Sequence, residues 1–257
     1  MKPAILLVDD NREILEFLTE DLSESYKVYT ATNGQDALGI LSTDVIQLVI
    51  SDIMMPVMDG YELCRAIKSN IENSHIPVIL LTAKNTLQSK IQGLEEGADA
   101  YIEKPFSPAY LQVQIANLLS NRLKIREHFA NTPLVNINTV AHTRADEIFL
   151  QQLHELIMQN LENVSLDVDL LACKMNFSRA TLYRKISAVT NLTPLELINI
   201  TRLKRAAELL AAGEHRIYEI CDMTGFNSQS NFGRSFLKQF GVTPSAYATM
   251  KKEPAKE

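Results

Sequence analysis

The 257-residue sequence has no tryptophan and only three cysteines. Cys64, Cys173 and Cys221 are odd in number, scattered, and without a Cys-x-x-Cys pair, so neither a disulfide framework nor a zinc site is indicated. No uninterrupted apolar run approaches the ~18 residues that a membrane-spanning helix needs, so no membrane contact is expected of this segment. The opening Met-Lys-Pro-Ala-Ile-Leu-Leu-Val-Asp-Asp reaches two acids after a short apolar run, too short for a secretory leader, and a cytoplasmic location is expected. Basic residues are scarce in the first half: residues 1–120 hold 8 Lys+Arg against 17 Asp+Glu, whereas 121–257 hold 17 against 14. Within 165–252 the count is 12 basic against 7 acidic. The formal charge of −6 therefore joins an acidic half to a basic one, which suggests two different partners, with nucleic acid among the candidates, although charge alone does not outweigh drift between domains. The length suits about two domains.

What is present is organised around residues 49–60. Leu48, Val49 and Ile50 form the short apolar run of a strand buried on both faces. The run stops at Ser51-Asp52, which sets a carboxylate at the carboxyl end of a strand, where open α/β sheets place their chemistry. Pro56 prevents a continuing ladder, and Asp59-Gly60 turns into a helix. The same alternation fills the first 120 residues. Strands are expected at 4–8, 28–31, 48–52, 77–81 and 100–102, and helices at 12–22, 34–41, 60–68, 86–96 and from 108 past 119. Asn11 caps the first helix and Pro108 suits the first turn of the last. Five strands alternating with five helices predict a doubly wound parallel sheet.

Four strand ends then meet along one edge: Asp9-Asp10, Asp52, Thr82 and Lys104. Clustered carboxylates repel one another unless a cation sits among them. Oxygen-only ligands suit Mg²⁺, and a lysine and a hydroxyl opposite it complete a cradle for a phosphoryl group. The carrying stretches are Ile-Leu-Leu-Val-Asp-Asp (5–10), Ser-Asp-Ile-Met-Met-Pro-Val-Met-Asp-Gly (51–60), Leu-Leu-Thr-Ala (80–83) and Tyr-Ile-Glu-Lys-Pro-Phe (101–106). Together they resemble the receiver domain of two-component response regulators, across about residues 3–120. The resemblance implies a flavodoxin-like five-stranded sheet of order 2-1-3-4-5. It implies that Asp52 accepts a phosphoryl group from a phosphohistidine on a histidine kinase. Asp9, Asp10 and the main-chain carbonyl of Met54 would join Asp52 around Mg²⁺. Lys104 would pair with the phosphoryl oxygens and the Thr82 hydroxyl would swing in. Tyr101 would act as an aromatic switch that repacks the face of the fourth helix, fifth strand and fifth helix. The Lys104-Pro105 bond is expected to be cis. Haloacid-dehalogenase-like phosphatases also set aspartates, a Thr or Ser and a Lys at strand ends. Their nucleophile lies in an Asp-x-Asp motif, whereas here adjacent aspartates precede Asn11.

The second half is helical. Residues 122–145 read as a polar connector, with 133–142 extended, and 145–161 as an amphipathic helix carrying Phe149, Leu150, Leu153, Leu156, Ile157 and Leu161 on one stripe. A helix at 168–175, a turn at Asn176-Phe177, and a Ser178-capped helix at 179–189 follow. Leu182, Ile186 and Val189 face inward, and Arg179, Ala180, Tyr183, Arg184 and Ser187 lie opposite, a polar stripe that suits a major-groove reader. The pattern repeats at 217–223 and 229–240, with Phe232, Phe236 and Phe240 inward and Gln229, Ser230 and Arg234 outward. The helix at 194–212 between the two units would span ~28 Å at ~1.5 Å per residue, close to the ~34 Å between successive major-groove segments.

Ala172, Ser178-Arg-Ala-Thr-Leu-Tyr-Arg-Lys185, Arg202-Leu-Lys-Arg-Ala-Ala-Glu-Leu-Leu210, Gly225-Phe226, Phe232, Arg234-Ser-Phe236 and Phe240-Gly-Val-Thr-Pro-Ser-Ala-Tyr247 resemble the DNA-binding domain of AraC/XylS-type regulators. Gly233, Leu237 and Ala248 depart from that pattern. The resemblance implies that Ala180, Tyr183, Arg184, Gln229, Ser230 and Arg234 approach bases of double-stranded DNA, with Arg179, Lys185 and Lys238 serving phosphates. Arg202, Lys204 and Arg205 are expected either to contact phosphates or merely to solvate the spacer helix. The expected organisation is a receiver at 1–121, a connector at 122–145, an AraC-type domain at 146–252 and a tail at 253–257. The whole is expected to be a phosphorylation-dependent transcription regulator, not an enzyme, that dimerises and binds repeated sites. The alternative is a phosphate sink or interaction module without specific DNA binding. The domain order is similar to the C-terminal part of the hybrid two-component regulators of gut Bacteroidetes.

Overall fold

The computed structural model describes residues 2–83, 96–131 and 137–252. The chain divides into two compact units, Met1–Lys124 with His142–Asp146, and Ile125–Ala141 with Glu147–Glu257. No helix among the described residues is long and apolar enough to cross a membrane.

In the first unit β1 (Ala4–Val8), β2 (Lys27–Ala31), β3 (Leu48–Asp52), β4 (Val78–Thr82) and β5 (Ala100–Glu103) form one sheet. All pairs are parallel and the order is β2-β1-β3-β4-β5, as expected. The described helices are α1 (Arg12–Leu22), α2 (Gly34–Thr43), α3 (Gly60–Ser69) and α4 (Pro108–Asn131). The helix expected at 86–96 lies, save Glu96, outside the described residues. Strand side chains alternate between two cores, as the period of two requires. Leu6, Val8, Val49, Val78 and Leu80 meet Ala37, Leu41, Leu63 and Ile67. On the other face Ile5, Leu7, Leu48, Ile50, Ile79 and Leu81 meet Leu15, Leu18, Leu22, Leu111 and Ile115. Each such side chain, fully buried, contributes about 1.5–3 kcal/mol, and cover on both faces is why these strands read as continuous apolar runs.

Local signals start the helices where the site needs them. The Asn11 side chain accepts the N–H groups of Glu13 and Ile14, and α3 opens with a reciprocal capping box of Asp59 and Glu62. Each satisfies N–H groups that a helix start leaves without partners. At the amino ends of β4 and β5, Asp99 holds Lys68 and Arg122, each at 2.6 Å. In the same unit Ser74 Oγ donates to Asp146 Oδ1 at 2.8 Å, with both residues fully buried.

The remaining described helices are α5 (Arg144–Gln159), α6 (Val168–Met175), α7 (Arg179–Thr190), α8 (Pro194–Ala212), α9 (Ile217–Met223), α10 (Gln229–Phe240) and α11 (Pro244–Lys252). The pairs α6–α7 and α9–α10 are the two expected helix-turn-helix units, and α8 is the 19-residue spacer. Asn176, at φ 58°, ends α6, and Ser178 caps α7. Gly225, at φ 68°, makes the second turn. A Cβ there would lie 2.2 Å from the Leu161 carbonyl oxygen and 2.8 Å from Arg202 Nη2, so both angle and space require glycine. Phe232 packs against Phe226 and Phe236, with centroids 5.2 and 5.7 Å apart. Phe240 stacks on Phe236 at 4.3 Å.

Two readings are corrected. Within the stretch expected to be extended, Ile137–Val140 is a 3₁₀ turn. Ile137 and Val140, three apart, both turn inward, which a three-residue turn allows and a strand's period of two does not. Helix α11 was not anticipated. Pro244 occupies its first position, and Thr243 Oγ1 accepts the Ala246 N–H at 3.3 Å.

Candidate phosphoacceptor site and nucleic-acid interface

Parallel register builds the first site. Val8 pairs with Ser51, so Asp9 and Asp52 leave adjacent strands side by side. Thr82 pairs with Glu103, and the Lys104 N–H bonds the Thr82 carbonyl at 2.7 Å. From there Lys104 Nζ reaches across, donating to Asp9 Oδ2 at 2.8 Å and to Asp52 Oδ1 at 2.5 Å. The other Asp52 oxygen accepts the Met54 N–H at 2.6 Å, and Asp9 Oδ1 accepts that of Asn11 at 2.9 Å. Asp9, Asp52 and Thr82 are buried, whereas Asp10 is exposed. The Lys104-Pro105 bond is cis. Tyr101 is half-buried, with its phenol oxygen 3.1 Å from that of Tyr61.

The electrostatics follow from this packing. Burial pushes the Asp52 carboxyl above its ordinary value, and Lys104 and the Met54 N–H offset that only in part. Burial opposes the charge on Lys104, but its hydrogen bonds to Asp52 and Asp9 prevail and hold its pKa above the usual lysine value. Three carboxylates against one ammonium leave two negative charges, which a divalent cation would balance. All-oxygen donors of this kind fit Mg²⁺. Among the described residues no group of three or more His, Cys, Asp or Glu side chains is arranged to hold a metal ion; Asp9 and Asp52 are both bonded to Lys104.

The second unit carries the polar stripes. Arg179, Ala180, Tyr183 and Arg184 on α7 are exposed, as are Gln229, Ser230, Arg234 and Lys238 on α10. Arg179 is paired with Asp169 at 2.7 Å, so a phosphate would compete with an exposed carboxylate for it. Lys185 is a correction. It is only 1% exposed, and its ammonium sits 5.6 Å from the centroid of the Phe149 ring, so it cannot serve a phosphate from there. Its place three residues after Leu182 and four before Val189 puts it on the inward stripe, and that spacing was the available signal.

Residues 5–116 match the family model of the response regulator receiver domain. Residues 171–250 match a helix-turn-helix domain of the AraC/XylS type. Similar proteins include the histidine kinase P4 of Formosa agariphila, 39% identical over 96% of this chain and 18% of its own length. A probable transcriptional regulator, ycf27, of Guillardia theta is 32% identical over 74% of each chain. That of Porphyridium aerugineum is 30% identical over 80% of this chain and 88% of its own. The chain belongs to the response regulators. A signal receiver domain of a Syntrophus aciditrophicus signal transduction histidine kinase is also similar, at 39% identity and TM-score 0.45 over 46% of this chain and 91% of that one. The chain thus spans most of the length of the regulators but under a fifth of the kinase. A receiver followed by a helix-turn-helix domain is the make-up of a two-component transcription regulator.

Three features of the response regulator escaped the sequence reading. Gly60 lies so close to the strand end that a Cβ would stand 2.2 Å from the Asp52 carbonyl oxygen and 2.9 Å from Ile53 Cα. Arg202 neither reaches a phosphate nor solvates α8. It is buried, and its Nη2 donates to the Asn163 carbonyl at 2.6 Å, stapling the loop before α6. The Lys68–Asp99–Arg122 group was invisible because its members stand far apart in sequence.

Proposed function

We propose that the response regulator is switched by phosphorylation of Asp52. A carboxylate oxygen of Asp52 attacks the phosphorus of a phosphohistidine on a histidine kinase. An O–P bond forms as the N–P bond breaks, and the imidazole leaves and takes up a proton. Asp9, Asp10, Asp52 and the Met54 carbonyl would hold Mg²⁺, whose charge offsets that of the phosphoryl oxygens. Lys104 exchanges its bond to Asp52 for one to a phosphoryl oxygen, and the Thr82 hydroxyl closes from β4. Carrying the reading is Lys104 Nζ bridging Asp9 and Asp52 at the carboxyl ends of adjacent strands. A cation already placed beside the acceptor is preorganised for the charge that develops there.

The output is dimerisation and binding to repeated sites on double-stranded DNA in the cytoplasm. Residues 108–121 of α4 contain no charged side chain and expose Tyr110 and Val113, which suits a contact between two copies. The basic composition of 165–252 and the exposed residues of α7 and α10 support DNA contact. The receiver is assigned to 1–121, the connector to 122–145 and the DNA-binding domain to 146–252. Similarity to a fifth of a histidine kinase supports a parent chain of the hybrid type. Incubation with Mg²⁺ and acetyl phosphate, followed by intact mass and sedimentation, tests the switch. One added phosphoryl group, absent in Asp52→Asn, with a shift to dimer is expected. An equal gain in the variant would refute Asp52 as acceptor. DNA affinity that does not fall with salt would refute the output.

A further inference from the structure

We infer that Tyr61 is the partner that holds Tyr101 inward, so that the two phenols form a latch between the phosphoacceptor loop and the last strand. The inference rests on the reading of Asp52 as phosphoacceptor and Tyr101 as switch. The two phenol oxygens are 3.1 Å apart although the residues are 40 positions apart in sequence. Both rings pack against the same apolar core, with Leu63 and Leu80 among its members.

Each tyrosine is mechanically tied to Asp52 by its own route. Tyr61 follows Gly60, which is pressed onto the Asp52–Ile53 backbone with no room for a methyl group. The Gly60 N–H donates to the Ile53 carbonyl at 3.0 Å. The Asp59–Glu62 capping box fixes the same turn. The first turn of α3 is therefore packed on and bonded to the main chain at Asp52–Ile53. Tyr101 lies three residues before Lys104 on one run of chain, and Lys104 Nζ binds Asp52 at 2.5 Å. Leu80 pairs with Tyr101 and Thr82 with Glu103, so β4 carries the Thr82 hydroxyl in step with the tyrosine. The phenol pair closes a ring that runs from Asp52 through Gly60, Tyr61, Tyr101 and Lys104 back to Asp52.

Such a ring senses both the backbone and the side chain of the acceptor. The phenol pair is closed while Lys104 is bonded to Asp52, and phosphorylation exchanges that bond, so the latch bears unequally on the two forms. One neutral hydrogen bond shifts a two-state balance by about two- to tenfold, enough to tune a switch without freezing it. Phenylalanine at either position keeps the ring and removes only the hydroxyl.

The test uses the full chain as wild type, Tyr61→Phe, Tyr101→Phe and the double variant. Each is treated with Mg²⁺ and acetyl phosphate and followed by intact mass and sedimentation, and its thermal unfolding is measured without phosphorylation. Tyr61→Phe is expected to gain the phosphoryl group as the wild type does. The ratio of dimerisation constants with and without phosphorylation should change two- to tenfold. Tyr101→Phe should do the same, and the double variant should lose no more than either single one. A hydroxyl with only a structural role would weaken both forms equally and leave the ratio unchanged, which would overturn the latch. Independent, additive effects of the two substitutions on unfolding and on the ratio would also overturn it. If the wild type gains no phosphoryl group, the phosphoacceptor reading falls and the latch with it. A normal gain with an unchanged ratio removes the latch alone.

Discussion

Removing the negative charge at the base of the receiver by Asp99→Asn should be among the most damaging single changes. Asp99 Oδ2 accepts Lys68 Nζ at 2.6 Å and the Val78 N–H at 2.9 Å, and Oδ1 accepts Arg122 Nη2 at 2.6 Å. The Lys68 and Arg122 side chains are 9% and 6% exposed. Burial lowers the Lys68 pKa. Burial alone would raise that of Asp99, but the two cations outweigh it and hold it below the usual carboxylate range. An asparagine places its amide against either Arg122 or the Lys68–Val78 pair, donor facing donor, and leaves two buried cations uncompensated. Breaking a buried ion pair in this way costs about 3–5 kcal/mol, against a total of about 5–15 kcal/mol for a domain. At about 4 °C per kcal/mol for a domain of this size, the receiver transition should fall by about 12–20 °C. Differential scanning calorimetry of the full chain reads it directly. The triple replacement Lys68→Met, Asp99→Leu, Arg122→Met should recover most of the loss, because apolar groups of similar size need no counter-charge. A fall of less than about 1 kcal/mol in Asp99→Asn, or a triple variant worse than the single one, would refute the argument.

Gly60→Ala forces a methyl group against the Asp52 carbonyl; a loss of about 1–3 kcal/mol is expected, with slower phosphoryl uptake, and wild-type values for both would refute the close approach. Burial lowers the Lys204 pKa to about 8. A lysine depressed in the folded state penalises folding fully below that pH, and the penalty is relieved as pH rises from about 8 toward its unfolded value. Lys204→Met should therefore stabilise the DNA-binding unit at pH 7 by on the order of 1 kcal/mol, discounted for partial exposure, and less at pH 9.5. Equal melting-temperature gains at both would count against it. Lys238→Ala should reduce the salt dependence of DNA binding by about 0.9 in slope. Lys185→Ala should leave that slope alone and lower the melting temperature instead; the reverse pattern would restore Lys185 to the phosphate contacts.

Local periodicity carried the fold and the placing of the candidate site residues at the strand ends. Apolar runs of about five residues between helical stretches specify strands buried on both faces, and a run that ends in Asp9, Asp52, Thr82 or Lys104 necessarily delivers that side chain to the carboxyl edge of a parallel sheet. Ser178, which caps α7, and Ser228, which caps α10 by accepting the Asn231 N–H, are equally local signals. Tertiary packing decided the pairings between positions distant in the chain: Lys104 on two aspartates, Tyr101 on Tyr61, Asp99 between Lys68 and Arg122, Arg202 on the Asn163 carbonyl. It also decided that Lys185 is inside. Its helical spacing placed it on the inward stripe, but its charge reads as a surface feature, and only the neighbours that surround it determine whether the long stem is buried and the charge turned inward.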